Sequence, residues 1–142
     1  MSLAVTPDEI RRILAEAEFL QGFGFTLEAL DDGVCALRFP FQPRFERPGG
    51  VVTGIVSLAA ADLAIWFAVM TRLGKDADRS VTIDLATSFV RGARNEDIVT
   101  TAHILSFGAA VIYGVADSVG DDGRLIAHHT GNYVRPPKRE PG

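Results

Sequence analysis

One stretch limits what this chain can fold into: residues 54–70, GIVSLAAADLAIWFAVM. Apart from Gly54 and Ser57, its one residue that is not apolar is Asp62. Apolar side chains all around a helical run call for a helix buried on every side, in a core or in a membrane. The run falls short of the roughly 20 residues that span a bilayer. A carboxylate at its centre would add about 2.5–3.5 kcal/mol to insertion. The expected solution is a sheet wrapped around one buried helix. Asp62 then needs a reason, because an unpaired buried carboxylate is costly. It is either a structural aspartate bonded to backbone or arginine, or a base at the edge of an apolar pocket.

At 142 residues the chain has the length of a single domain, read as 1–142 with 136–142 as a loose tail. A net charge of −4 gives no global attraction for nucleic acid, so an anionic ligand must meet a local basic patch. Cys35 is the lone cysteine, which rules out an intrachain disulfide and suits a reducing compartment. The start, MSLAVTPDEI, lacks the pattern of a signal peptide, so a soluble cytoplasmic protein is expected.

Thr6, Pro7 and Glu9 form a capping-box signature, and Ile10, Ile13, Leu14 and Ala17 follow at helical spacing. Gly22 and Gly24 are expected to end this first helix. Residues 25–30 and 34–39 read as strands around an Asp-Asp-Gly turn, with Cys35, Leu37 and Phe39 on one face. The segment FQPRFERPGGVVTG is a shaped loop that feeds the buried helix, whose first N–H groups suit an oxyanion or phosphate. Beyond Gly74 the chain reads as four strands: 80–91, 98–107, 110–119 and 124–134. Strict alternation puts Val81, Ile83, Leu85, Thr87 and Phe89 on one face of the first, opposite Thr82, Asp84, Ala86 and Ser88. Consecutive strands and short turns imply an antiparallel meander. The fold class is α+β: an antiparallel sheet around one long buried helix, with an extra N-terminal helix.

That order of elements resembles the hotdog fold, and specifically the PaaI-type acyl-CoA thioesterases, over about residues 44–136. The resemblance rests on the RPGG-x-x-x-G loop, the helix with LAAADLA, the strand ending SFVRGA and the closing AHHTGNY. It implies a homodimer joined edge to edge, often paired again into a dimer of dimers, hydrolysing acyl-CoA without a cofactor or metal. It puts the catalytic acid at Asp62 and the oxyanion N–H at Gly54. Thr82 falls where the family orients the attacking water. The family's His-Gly-Gly falls on Thr53, Gly54 and Ile55, and an upstream Asn or Gln falls near Arg47. Both are departures that remove side-chain assistance but keep the backbone N–H. The turn at 106–110 lacks the basic residues that relatives carry, leaving Arg91 and Arg94 as candidates for the coenzyme A phosphates.

Other chemistries have weaker footing. His103, His128 and His129 fall in strands and form no metal-ligand grouping with acids or Cys35. A G-x-S-x-G elbow is absent, and Ser57 reads as a helix-packing residue. Asp84 is an alternative acid in mid-strand. Trp66, Phe67 and Met70 are large enough to close a pocket or to be core. The competing functional reading is a non-catalytic hotdog protein that binds an acyl or aromatic ligand, with Asp62 as anchor. Geometry adds one constraint: eight residues of helix separate Gly54 from Asp62 by about 12 Å. A thioester carbonyl and its water approach within roughly 3–3.5 Å. The two groups must therefore come from different chains across a two-fold axis.

Overall fold

The computed structural model describes residues 2–138; of the expected tail, 139–142 lie outside the described residues. Helix α1 (Pro7–Glu16) starts at the expected box: Glu9 N–H donates to Thr6 Oγ1 at 3.1 Å and Thr6 N–H to the Glu9 carboxylate at 3.2 Å. It stops before Gly22, contrary to expectation. The Gln21 side-chain amide donates to the carbonyls of Ala15 and Ala17 at 3.0 and 3.1 Å. A side-chain donor to those terminal acceptors stabilises the earlier end. A 3-10 turn, Glu18–Leu20, follows.

Six strands form one sheet. In chain order these are β1 (Thr26–Asp31), β2 (Val34–Phe39), β5 (Thr82–Phe89), β6 (Ile98–Phe107), β7 (Val111–Val119) and β8 (Leu125–Val134). A two-strand ladder of β3 (Glu46–Arg47) and β4 (Val51–Val52) lies in the loop before the core helix. The large sheet runs β1-β2-β6-β7-β8-β5, every pair antiparallel. The expected meander holds for β6, β7 and β8 but fails for β5. β2 occupies the ladder edge of β6 that β5 would have used, in the register Val34↔His103 to Phe39↔Ile98. β5 therefore pairs with β8 and forms an edge of the sheet.

Helix α2 (Gly54–Leu73) is 20 residues long and lies inside the sheet's curve. It is long and apolar enough to cross a membrane, so the length argument against a span fails; burial against the sheet decides instead. Val56, Ala60, Ala64, Phe67 and Ala68 are buried, and the alanines let the sheet approach closely. Ile65 seats on a cross-strand glycine pair, Gly114↔Gly131, where added Cβ atoms would meet its side chain at 3.1 and 3.3 Å. Phe39, Phe67 and Leu37 complete the core, each worth about 1.5–3 kcal/mol in burial. Cys35 lies in that core, and burial pushes its thiol up to about 12. Gly74, at φ +57°, terminates α2, and its N–H donates to the Met70 carbonyl.

The alternation expected for β5 is broken once. Thr82 pairs with Tyr133 and Asp84 with Asn132, so Ile83 is an extra residue on the β5 side. Such a bulge shifts the face of every residue before it. Thr82 consequently joins Leu85, Thr87 and Phe89 on the helix side instead of facing away with Asp84.

Candidate active site

Asp62 sits half-buried on α2, facing β5 and β8. Its Oδ1 accepts a hydrogen bond from Thr82 Oγ1 at 2.8 Å and another from the phenol of Tyr133. The same phenol lies 2.9 Å from the Asp62 backbone carbonyl. No arginine reaches the carboxylate among the described residues, and its partners are two hydroxyls. Burial, and then the hydrogen bond to Asp62, push the Tyr133 hydroxyl above the usual phenol range, which keeps it protonated and donating. Oδ2 takes no hydrogen bond from the described residues. A cavity of about 300 Å³ opens beside Asp62, walled by Phe19, Leu63, Trp66, Val81 and Tyr133. Sequence reasoning missed Tyr133. Its signal was an aromatic hydroxyl closing the AHHTGNY strand, since a buried phenol needs an acceptor.

Gly54 begins α2 and opens on a different cavity of about 390 Å³. Its N–H, in the first turn, has no intrahelical acceptor. Thr53 is the N-cap, and its hydroxyl turns back to accept from Ile55 N–H at 3.5 Å; it is used locally. The Ile55 side chain is 63% exposed. Glycine at 54 has a further cause beyond close approach by a ligand. A Cβ there would sit 2.8 Å from ring atoms of Phe89.

The candidate arginines do three different jobs. Arg47 lines the Gly54 cavity while donating to the Pro48 carbonyl at 3.1 Å. Arg91 lines it too, but its guanidinium is held by Glu96 at 3.1 Å and Asp122 at 3.3 Å. The hydrogen bond from Arg91 holds the Glu96 carboxyl below the usual range. Arg94 is absent from the cavity lining and donates to the Gly49 carbonyl at 2.7 Å, tying down the glycine loop. The guanidiniums of Arg91 and Arg94 are thus tied to different partners. Asp84 lies on the outer face, bonded to Asn132 at 3.0 Å, and does not approach Asp62. Ser57 is buried and lines the Gly54 cavity.

The histidines separate as well. His128 is on the outer face against Asp117 at 2.6 Å. His129 is fully buried, with Nδ1 at 2.7 Å from Thr87 Oγ1 and Nε2 at 3.0 Å from Ser118 Oγ. Burial lowers its pKa to about 4. Among the described residues no His, Cys, Asp or Glu grouping is placed to hold a metal.

This arrangement, a long helix wrapped by an antiparallel sheet, is found in known structures. A protein of Silicibacter sp. TM1040 named putative thioesterase superposes with a TM-score of 0.82 at 27% identity, covering 96% of each chain. The PaaI protein of the phenylacetic acid degradation operon of Escherichia coli superposes with a TM-score of 0.80 at 15% identity, over 96% of this chain and 97% of its own. The chain has the hotdog fold. No protein-family model matches it. In sequence, this hotdog chain is 27% identical over 126 residues to a protein of Saccharolobus solfataricus named putative esterase, spanning 89% of this chain and 83% of that one.

Proposed function

We propose that this hotdog protein hydrolyses acyl-CoA thioesters to free acid and coenzyme A, as a cytoplasmic homodimer or dimer of dimers. The observation that carries the reading is the fixed carboxylate: one oxygen of Asp62 is held by two hydroxyls, and the residue borders a cavity. A carboxylate so oriented can take a proton from water. The water oxygen attacks the carbonyl carbon, and the negative charge that develops on the carbonyl oxygen falls to the N–H of Gly54. Collapse breaks the carbon–sulfur bond, and the proton held by Asp62 passes to the departing sulfur.

The pairing of chains is supported by where the apolar surface lies. Ile83 and Phe89 on β5, Val81 just before it, and Ile55 at the start of α2 are each more than half exposed. An edge strand with open backbone groups and apolar side chains is a template for a second strand. Two copies joined through β5 by a two-fold axis would bury these residues and bring Gly54 of one copy toward Asp62 of the other. Within one chain the two groups line separate cavities, which agrees with a shared site.

Thiol release from a panel of acyl-CoA substrates tests the proposal, with Asp62→Asn as the control. Turnover that the variant abolishes supports it. Ligand-induced stabilisation with no thiol release would support the binding protein instead.

A further inference from the structure

Two cavities share one side chain. Trp66 stands one helical turn after Asp62, so both project from one face of α2. Its indole lines the Asp62 cavity and also a second cavity of about 300 Å³ between α1 and the C-terminal half of α2. Val5, Ile13 and Met70 supply the apolar lining of that second space, and Glu9, Arg12, Lys75 and Asp78 its charged part. The indole is pinned: Nε1–H donates to the Ala77 carbonyl at 2.8 Å, and the ring lies 5.3 Å from that of Phe67. An aromatic ring fixed by a hydrogen bond and a neighbouring ring acts as a wall, not as a mobile lid.

The two arms of a thioester differ in chemistry, and so do the two parts of the site. The Gly54 cavity carries Arg91, already paired with Glu96 and Asp122, and Arg47, whose cation suits the phosphate-bearing arm. The lining of the Asp62 cavity has no cation; beyond Asp62, Ser80, Thr82 and the Tyr133 hydroxyl it is apolar, which suits an acyl chain. Resting on the thioesterase reading, we propose that the cavity beside Asp62 holds the acyl chain and that Trp66 sets its maximum length. The space between α1 and α2 is then a latent extension of the acyl site, closed by the indole. The substrate class is short- to medium-chain or compact aryl thioesters.

The experiment is a chain-length profile of kcat/KM over straight-chain acyl-CoA substrates for the full-length protein. In the wild type the profile falls beyond a limiting length. Trp66→Ala should move the limit outward and raise the ratio of long-chain to short-chain kcat/KM by about tenfold or more, the scale of discrimination set by one or more methylenes in an apolar pocket. Ile13→Phe, added to that variant, refills the second cavity and should return the ratio toward wild type. Ile13→Phe alone should leave the profile as it was.

An unshifted profile in a Trp66→Ala protein that melts cooperatively would overturn the proposal. So would a shifted profile that Ile13→Phe fails to reverse. Should loss of the hydrogen bond to Ala77 leave Trp66→Ala unfolded, Trp66→Leu, which keeps apolar volume, is read by the same ratio. Absence of thiol release from the wild type at every chain length is a distinct result: it removes the thioesterase reading, and this inference with it.

Discussion

Tyr133 and Asp62, 71 residues apart in sequence, meet through one phenolic proton that faces both the carboxylate Oδ1 and the backbone carbonyl of the same aspartate. Tyr133 is 1% exposed, so this proton has no solvent alternative. The tyrosine therefore fixes both the side chain and the helix position of the proposed base. Tyr133→Phe keeps the ring and removes the proton. It should lower kcat about ten- to hundredfold with little change in KM, because it disorders the base while keeping the aromatic ring that walls the cavity. Thr82→Val should act in the same direction, and the double variant should fall short of the product of the two, since both serve one oxygen. Steady-state kinetics on the three proteins checks this.

Asp62→Ala should abolish most turnover and leave the melting temperature within a few degrees of wild type. The carboxylate is half-buried and held by two hydroxyls, so its removal trades hydrogen bonds of about 1 kcal/mol each against relief of desolvation. Wild-type turnover in a folded Asp62→Ala protein would end the general-base proposal. Calorimetry and thiol release on one preparation decide it.

Gly54→Ala should destabilise the protein by about 1 kcal/mol or less, because its Cβ must displace the outer edge of the exposed Phe89 ring 2.8 Å away. Adding Phe89→Ala should recover part of that loss. Urea titrations of the four proteins give the coupling. Strictly additive losses would show that the ring yields and that Gly54 is kept for another reason.

The buried imidazole of His129 sets an acid limit. An unfolded histidine takes a proton near pH 6.5, while the folded one, desolvated, does so only at about 4. Between these values the unfolded chain holds more protons, so stability rises with pH and is lost as pH falls from 6.5 to 4. The loss should be about 1 kcal/mol per pH unit in that window. His129→Gln should flatten it, at a cost in stability at pH 7 from disturbing the bonds to Thr87 and Ser118. Urea midpoints at pH 7, 5.5 and 4.5 for both proteins check the difference.

Complementation tests the shared site. Proline at 54 deletes the N–H at the first helical position, where proline is tolerated. Its Cβ would strike Phe89, so the experiment belongs in a Phe89→Ala background. There, Gly54→Pro and Asp62→Ala homodimers should each be inactive. Refolded together at equal amounts, random pairing gives about half heterodimers, each with one intact site. About a quarter of the Phe89→Ala activity should return. If the subunits exchange and nothing returns, each chain carries its own site.

The sequence by itself determined the parts that depend on neighbours along the chain. The capping box at Thr6 and Glu9 fixed where α1 starts, the apolar run from Gly54 fixed a long core helix, though its face through Ile55, Asp62 and Trp66 is not buried, and period-two patterns fixed the strands. The lone carboxylate in that run marked Asp62, because burying a charge without cause is costly. Tertiary structure decided what depends on distant partners. The end of α1 moved because the Gln21 amide reaches back to its carbonyls. β5 left the meander because β2 took the edge of β6, and Thr82 reached Asp62 because one extra residue at Ile83 inverted the alternation. Tyr133 became a partner of Asp62, and Arg91 was bound to Glu96 and Asp122, through contacts between separate elements. Local pattern encodes which face a residue prefers. Which atoms meet across those faces depends on register and strand order, and these are settled only when the sheet closes on the helix.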